Sequence, residues 1–126
     1  MKEYKLDYAT FYNHENGIVE AIVNPDIEIS GQNLLDMFSL FESMQPAVEY
    51  MISNRKNKYS FSFEAMTKFN QNKTIKAVAV VCYNRTSGFS IEKLWPKFTK
   101  LAFFDSMDDA YTWINSLQLE KTLEIK

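Results

Sequence analysis

Polar and apolar positions alternate near the start of the chain. Tyr4, Leu6, Tyr8 and Tyr12 fall on one side, and Lys5, Asp7, Ala9 and Phe11 on the other. A period of two with aromatic content predicts a strand over residues 4–12. Asn16-Gly17 is a turn signal, because both residues tolerate positive φ, and Ile18–Val23 resumes the alternation, so the two segments predict a β-hairpin. Pro25 ends the second strand, having no N–H to donate. The period then changes. Ser30 offers an N-cap, and Leu34, Leu35, Met37, Phe38, Phe41 and Met44 mark an amphipathic helix from about 31 to 45, stopped near Pro46. Val48–Ser53 reads as a third strand. Ser62 can cap a helix beginning at Phe63 and running through Ala65, Met66 and Phe69, with Asn70 and Asn72 as stop signals.

Seven apolar residues run without alternation from Ala77 to Tyr83. Such a run predicts a strand covered on both faces, as at the centre of a parallel sheet. Ser87–Leu94 reads as a helix ended by Trp95-Pro96, and Lys100–Phe104 as a final strand. Ser106-Met107-Asp108-Asp109 resembles a capping box, and Ala110, Trp113, Ile114 and Leu117 follow at i, i+3, i+4 and i+7, the spacing of one helical face. Residues 120–126 read as a frayed tail or an extra edge strand. The predicted order is β-β-α-β-α-β-α-β-α. That order implies an α/β protein: an N-terminal hairpin, then alternating β-α units, in a four- to five-stranded mixed sheet covered by about four helices.

At 126 residues the chain reads as one domain spanning 1–126, able to bury about two-thirds of its unfolded surface. Forty-six per cent hydrophobic residues exclude wholesale disorder. The N-terminus has no continuous apolar stretch of the signal-peptide kind, and nothing approaches a membrane span. One cysteine, Cys82, cannot form an internal disulfide, so a cytoplasmic setting is expected. It falls inside the apolar run and reads as a small buried hydrophobe. The net charge of −2 hides a segregation: residues 54–100 hold ten basic side chains against Glu64 and Glu92, while both flanks are acidic. A basic face attractive to anions is one outcome, and mutual neutralisation after folding is the other.

In an open α/β sheet, the residues just past the carboxyl ends of parallel strands line the ligand-binding crevice. Three strands deliver polar groups there: Asn54 and Arg55 after the third, Asn84 and Arg85 after the fourth, and Asp105 after the fifth. With Lys58 they form the candidate ligand- or partner-binding set, since guanidinium groups beside helix N-termini suit an anion or an acidic surface. Loops past strands are polar in any case, so the set is equally compatible with a solvated edge. No catalytic constellation assembles. His14 is the only histidine and falls in the hairpin turn, where it reads as an exposed turn residue. Gly17, Gly31 and Gly88 are isolated, which excludes a glycine-rich phosphate loop, and no Cys or His spacing fits a metal. No cofactor is implied. The basic segment carries no nucleic-acid recognition motif, so nucleic acid is not expected as a partner.

Two stretches carry a family likeness. KAVAVVCYN and LAFFDSMDDAYTWINSL resemble the closing half of the SpoIIAA-like (STAS) proteins, in which a buried Ala/Val-rich strand precedes a helix, a strand ending in Phe, and an acidic-Ala-x-x-Trp-hydrophobic helix. The likeness extends more loosely over residues 18–118. It implies a compact mixed sheet backed by helices, related to the CRAL-TRIO lipid-binding architecture, and regulatory protein–protein interaction rather than catalysis. In that family a serine at the start of the helix after the third strand is phosphorylated within an Asp-Ser-Ser/Thr-Gly sequence. The matching positions are Ser60 and Ser62, although Lys58-Tyr59-Ser60-Phe61-Ser62-Phe63 has neither the Asp nor the Gly, and capping alone explains Ser62. The expected function is therefore a non-enzymatic interaction module, partnered by another protein or by a second copy. The alternative is a binder of a small apolar, lipid or anionic ligand.

Overall fold

The computed structural model describes residues 1–83 and 100–125. One mixed sheet contains six strands: β1 (Lys2–Leu6), β2 (Ala9–Asn13), β3 (Ile18–Val23), β5 (Tyr50–Arg55), β7 (Ala77–Cys82) and β8 (Lys100–Phe104), in that spatial order. The first three are antiparallel neighbours, and β3, β5, β7 and β8 run parallel. Two short strands, β4 (Glu28–Ile29) and β6 (Ser60–Phe61), pair in parallel and lead into helices α1 (Gly31–Ser43) and α2 (Phe63–Gln71). A third helix, α3, spans Met107–Ile125. The α/β class and the mixed, partly parallel sheet agree with the sequence pattern. The helix expected at 87–94 lies outside the described residues.

The main sheet has six strands rather than four or five because residues 4–12 contain a reversal between two strands. The chain reverses at Asp7-Tyr8, with Leu6 opposite Ala9. That turn uses no glycine and no positive φ. It is closed instead by the third strand's exit, where the Asn24 N–H donates to the Tyr8 carbonyl (2.8 Å) and the Asn24 amide to that of Asp7 (3.1 Å). The second turn is built as its sequence predicts: Glu15, Asn16 and Gly17 have φ of 67, 55 and 77°. Residues 120–125, expected as a tail, continue α3.

The helices divide between the two faces. Leu34, Met37, Phe38 and Phe41 of α1 and Ala65 and Phe69 of α2 pack with Phe11, Val19, Met51, Val78 and Val80 in one core. Ala110 and Ile114 of α3 pack on the opposite face against Ile18, Ile52, Ala77, Ala79 and Val81. All six residues of β7 are buried, which is why its sequence shows no alternation. Caps fix where the helices begin. The Ser30 hydroxyl accepts from the Asn33 N–H (3.1 Å) while the Asn33 side chain accepts from the Ser30 N–H (2.9 Å), a reciprocal box. Ser62 accepts from the Ala65 N–H (3.0 Å) and Ser106 from that of Asp109 (3.2 Å).

Candidate functional site

Strand β5 positions both polar groups of the candidate edge, and its pleat sends them to opposite faces. Asn54 follows Tyr50 and Ile52 toward α3, whereas Arg55 follows Met51 and Ser53 toward α1 and α2. The two side chains that the sequence groups together therefore serve different surroundings.

On the α3 face a chain of polar groups runs from the buried Glu20 and Asn54 out to Tyr83, which is exposed. Asn54 is 2% exposed and Glu20 7%. The Asn54 amide donates to Glu20 Oε2 (2.8 Å), and the Tyr83 hydroxyl donates to Asn54 Oδ1 (2.9 Å). Glu20 Oε1 meets His14 Nε2 at 2.9 Å. The His14 ring lies against Tyr111 of α3, with centroids 5.0 Å apart. Burial holds the Tyr111 hydroxyl above the usual tyrosine range, and the charges of Glu20 and Glu15 act in the same direction. His14 is thus not the exposed turn residue its hairpin position predicts. Its side chain is 9% exposed, because the reversal at Asn16-Gly17 folds it back beside Glu20. The buried amide and carboxylate at its centre, Asn54 and Glu20, are thus paired with each other and with Tyr83 and His14. Glu20 carries the sequence signal for this feature, a lone carboxylate inside the apolar run IVEAIV.

On the other face Arg55 lies over the Tyr59 ring, with its guanidinium carbon 4.1 Å from the centroid, and its Nη2 donates to the Tyr59 carbonyl (3.0 Å). The hydroxyls of Ser53 and Tyr59 share a hydrogen bond of 3.1 Å. Burial raises the Tyr59 hydroxyl above its ordinary range, while Arg55 and Ser53 pull it the other way. These three residues contribute to the lining of a cavity of about 30 Å³ between the sheet and the two helices. Its remaining walls, among them Tyr8, Met37 and Phe61, are apolar. The Nε and Nη1 atoms of Arg55 are buried without a hydrogen-bond partner.

On either side of Tyr59 the chain is at the surface. Lys56, Lys58 and Ser60 are exposed, and Ser62 is held as the α2 cap. Phe63, the first residue of α2, is 87% exposed. Asp26, Glu28 and Glu64 are also exposed nearby: the Asp26 N–H donates to the Lys58 carbonyl (2.7 Å), and Glu28 is the register partner of Ser60. The basic loop is therefore interleaved with acidic groups. Asp105 is exposed at the end of β8, and Asn84 and Arg85 lie outside the described residues. Cys82 is buried in register with Arg55. Among the described residues, no three His, Cys, Asp or Glu side chains converge as metal ligands, and no helix is long and apolar enough to cross a membrane.

Comparison with solved structures defines the class of fold. The chain is similar to the crystal structure of an uncharacterised protein of the DUF3478 family from Shewanella loihica, described as having a SpoIIAA-like fold. The match has a TM-score of 0.58 at 13% identity and covers 83% of this chain and 90% of that one. This protein has a SpoIIAA-like fold, as its closing strands and final helix imply. No family model and no curated protein matches the sequence.

Proposed function

We propose that the protein is a non-catalytic interaction module of the STAS-like type, engaging a partner protein through the junction between β6 and α2. The observation that carries this reading is Phe63, 87% exposed at the opening of α2. Covering such a ring contributes about 2–3 kcal/mol. A lone aromatic anchor inside a polar rim is the anatomy of a binding hot spot. Around Phe63 in the chain stand the exposed Lys56, Lys58, Ser60 and Glu64. The partner implied by this chemistry presents an apolar pocket for the ring, bordered by charges of both signs.

The most reactive-looking side chains support a non-catalytic role, because His14, Glu20 and Asn54 are turned inward and paired with one another. A lipid ligand fits poorly. The cavity behind β5 has the volume of about two water molecules, well below the several hundred Å³ of a typical organic-ligand site.

A photo-crosslinking amino acid placed at position 63 tests the reading in the native cytosol. The expected product is a discrete crosslink to a different protein, absent when the probe sits at Leu119, which is exposed on α3. A product of twice the chain mass would make the partner a second copy. Diffuse labelling that is equal at both positions would overturn the proposal.

A further inference from the structure

Strand β1 ends the main sheet and, among the described residues, has a neighbour on one side only. The hydrogen bonds of the next hairpin fix what its open side presents. The His14 N–H donates to the Ile18 carbonyl (2.9 Å) and the Asn24 N–H to that of Tyr8 (2.8 Å), so Thr10 and Tyr12, in the same alternation, also bond toward β3. Ala9, Phe11 and Asn13 therefore bond toward β1, to their register partners Leu6, Tyr4 and Lys2. The N–H and C=O groups of Glu3 and Lys5 are left pointing away from the sheet, and among the described residues no other strand takes them up. The side chains alternate as well. Tyr4 and Leu6 pack against the core beneath α1 and α2, while Glu3 and Lys5 stand on the opposite face and are exposed.

An open edge accepts strands without discrimination, and charged side chains on it are the usual guard. Here the guard has a complement in its own sequence. The order Lys2-Glu3-Tyr4-Lys5-Leu6 sets opposite charges on either side of a central aromatic. We infer that β1 is a self-association edge, pairing antiparallel with β1 of a second copy about a two-fold axis at Tyr4 and joining the two sheets into one. In that register Glu3 faces the partner's Lys5, Lys5 faces the partner's Glu3, and Tyr4 faces the partner's Tyr4. The residues with outward main-chain groups become the hydrogen-bonded pairs, each exchanging both bonds, and Tyr4 becomes the non-hydrogen-bonded pair between them. Moving the axis to Glu3 or to Lys5 sets like charges directly opposite, which is destabilising, so charge selects the register. The ladder is short and its ion pairs face solvent, so the dimer is weak and sensitive to salt. It is independent of the Phe63 surface.

Sedimentation velocity over a concentration series, at low salt, tests the charges. The wild type is expected to move toward twice the chain mass as concentration rises. Glu3→Lys, which turns both cross-strand pairs into like-charge pairs, weakens association about tenfold, and Glu3→Lys combined with Lys5→Glu restores it. Both positions are exposed, so these variants keep the fold. A disulfide tests the geometry. Two residues facing each other in a non-hydrogen-bonded pair have Cα atoms about 4.5 Å apart, within the span of a disulfide, and the native Cys82 is buried. Tyr4→Cys is therefore expected to form a disulfide-linked dimer under mild oxidation, and Lys2→Cys, displaced from the axis, is not. Phe63→Ser associates like the wild type, which separates this edge from the partner surface. A wild type that stays monomeric up to about 1 mM, association indifferent to Glu3→Lys, or equal crosslinking of Tyr4→Cys and Lys2→Cys would overturn the inference.

Discussion

Asn54 and Arg55 are neighbours in sequence with opposite energetic roles. Asn54 supplies the donor that keeps the buried Glu20 carboxylate satisfied and accepts from Tyr83 in return. Truncation to alanine leaves a buried carboxylate oxygen without its partner, at a cost of about 2–3 kcal/mol, readable as a lower urea midpoint with unchanged slope. Arg55 is a buried donor set in deficit. Replacing it with Met is expected to raise stability, by about 1–3 kcal/mol by analogy with buried charges exchanged for packed hydrophobes; a loss of similar size would contradict this reading of the unpaired donors. The sequence shows both residues at the right strand end, yet not their divergence, because it places them in the loop past Ser53, whereas inside the strand the pleat sends neighbours to opposite faces. Strand β5 was expected to end at Ser53 and continues to Arg55. His14 was legible only as a residue of a turn, since its burial depends on Glu20 and on Tyr111 of α3, 97 positions further along the chain.

At the level of elements, local chemistry was the most legible. Ser30, Ser62 and Ser106 each cap the helix their position predicts, because a cap is a contact between residues three apart. Ser62→Ala is accordingly expected to cost about 1 kcal/mol, with Ser62→Asp retaining the cap and Ser60→Ala close to neutral in the same urea titration. Gly17 is a second such position. Its φ of 77° belongs to the left-handed region, and an added Cβ would lie 3.3 Å from the Ala47 carbonyl oxygen. Gly17→Ala should therefore lower stability by about 1–2 kcal/mol. The Asp7-Tyr8 reversal was not legible, for the converse reason: it carries no turn residue of its own and is secured by Asn24, far from it in sequence. The short β4–β6 ladder was hidden in the same way, being two residues long and set by the parallel approach of the segments leading into α1 and α2.

Across the whole molecule the sheet separates two environments: a largely buried polar chain beneath α3, and an apolar core beneath α1 and α2 with Arg55 at its edge. The second environment has a pH signature. Burial raises Tyr8 well above its ordinary value, with the charge of Asp36 adding to the effect, and burial also raises Tyr59. In the unfolded chain both lose their protons near pH 10. Up to that pH their contribution to stability is fully present; above it the unfolded state binds fewer protons than the folded one, so stability falls as pH rises toward the folded values. The urea midpoint should decline from about pH 10 upward, and Tyr8→Phe should flatten that decline. The segregation of charge along the sequence is less informative in three dimensions, because Asp26, Glu28 and Glu64 are interleaved with Lys56 and Lys58.

Residues 56–63 run from the end of β5 to the exposed Phe63 and are the segment proposed to bind a partner. Amide hydrogen exchange of the protein, alone and with the partner identified by crosslinking at position 63, tests that assignment most directly. The account predicts added protection concentrated in residues 56–66 and little change along β1 or α3. Protection centred on β1 or α3, with 56–66 unchanged, would contradict it.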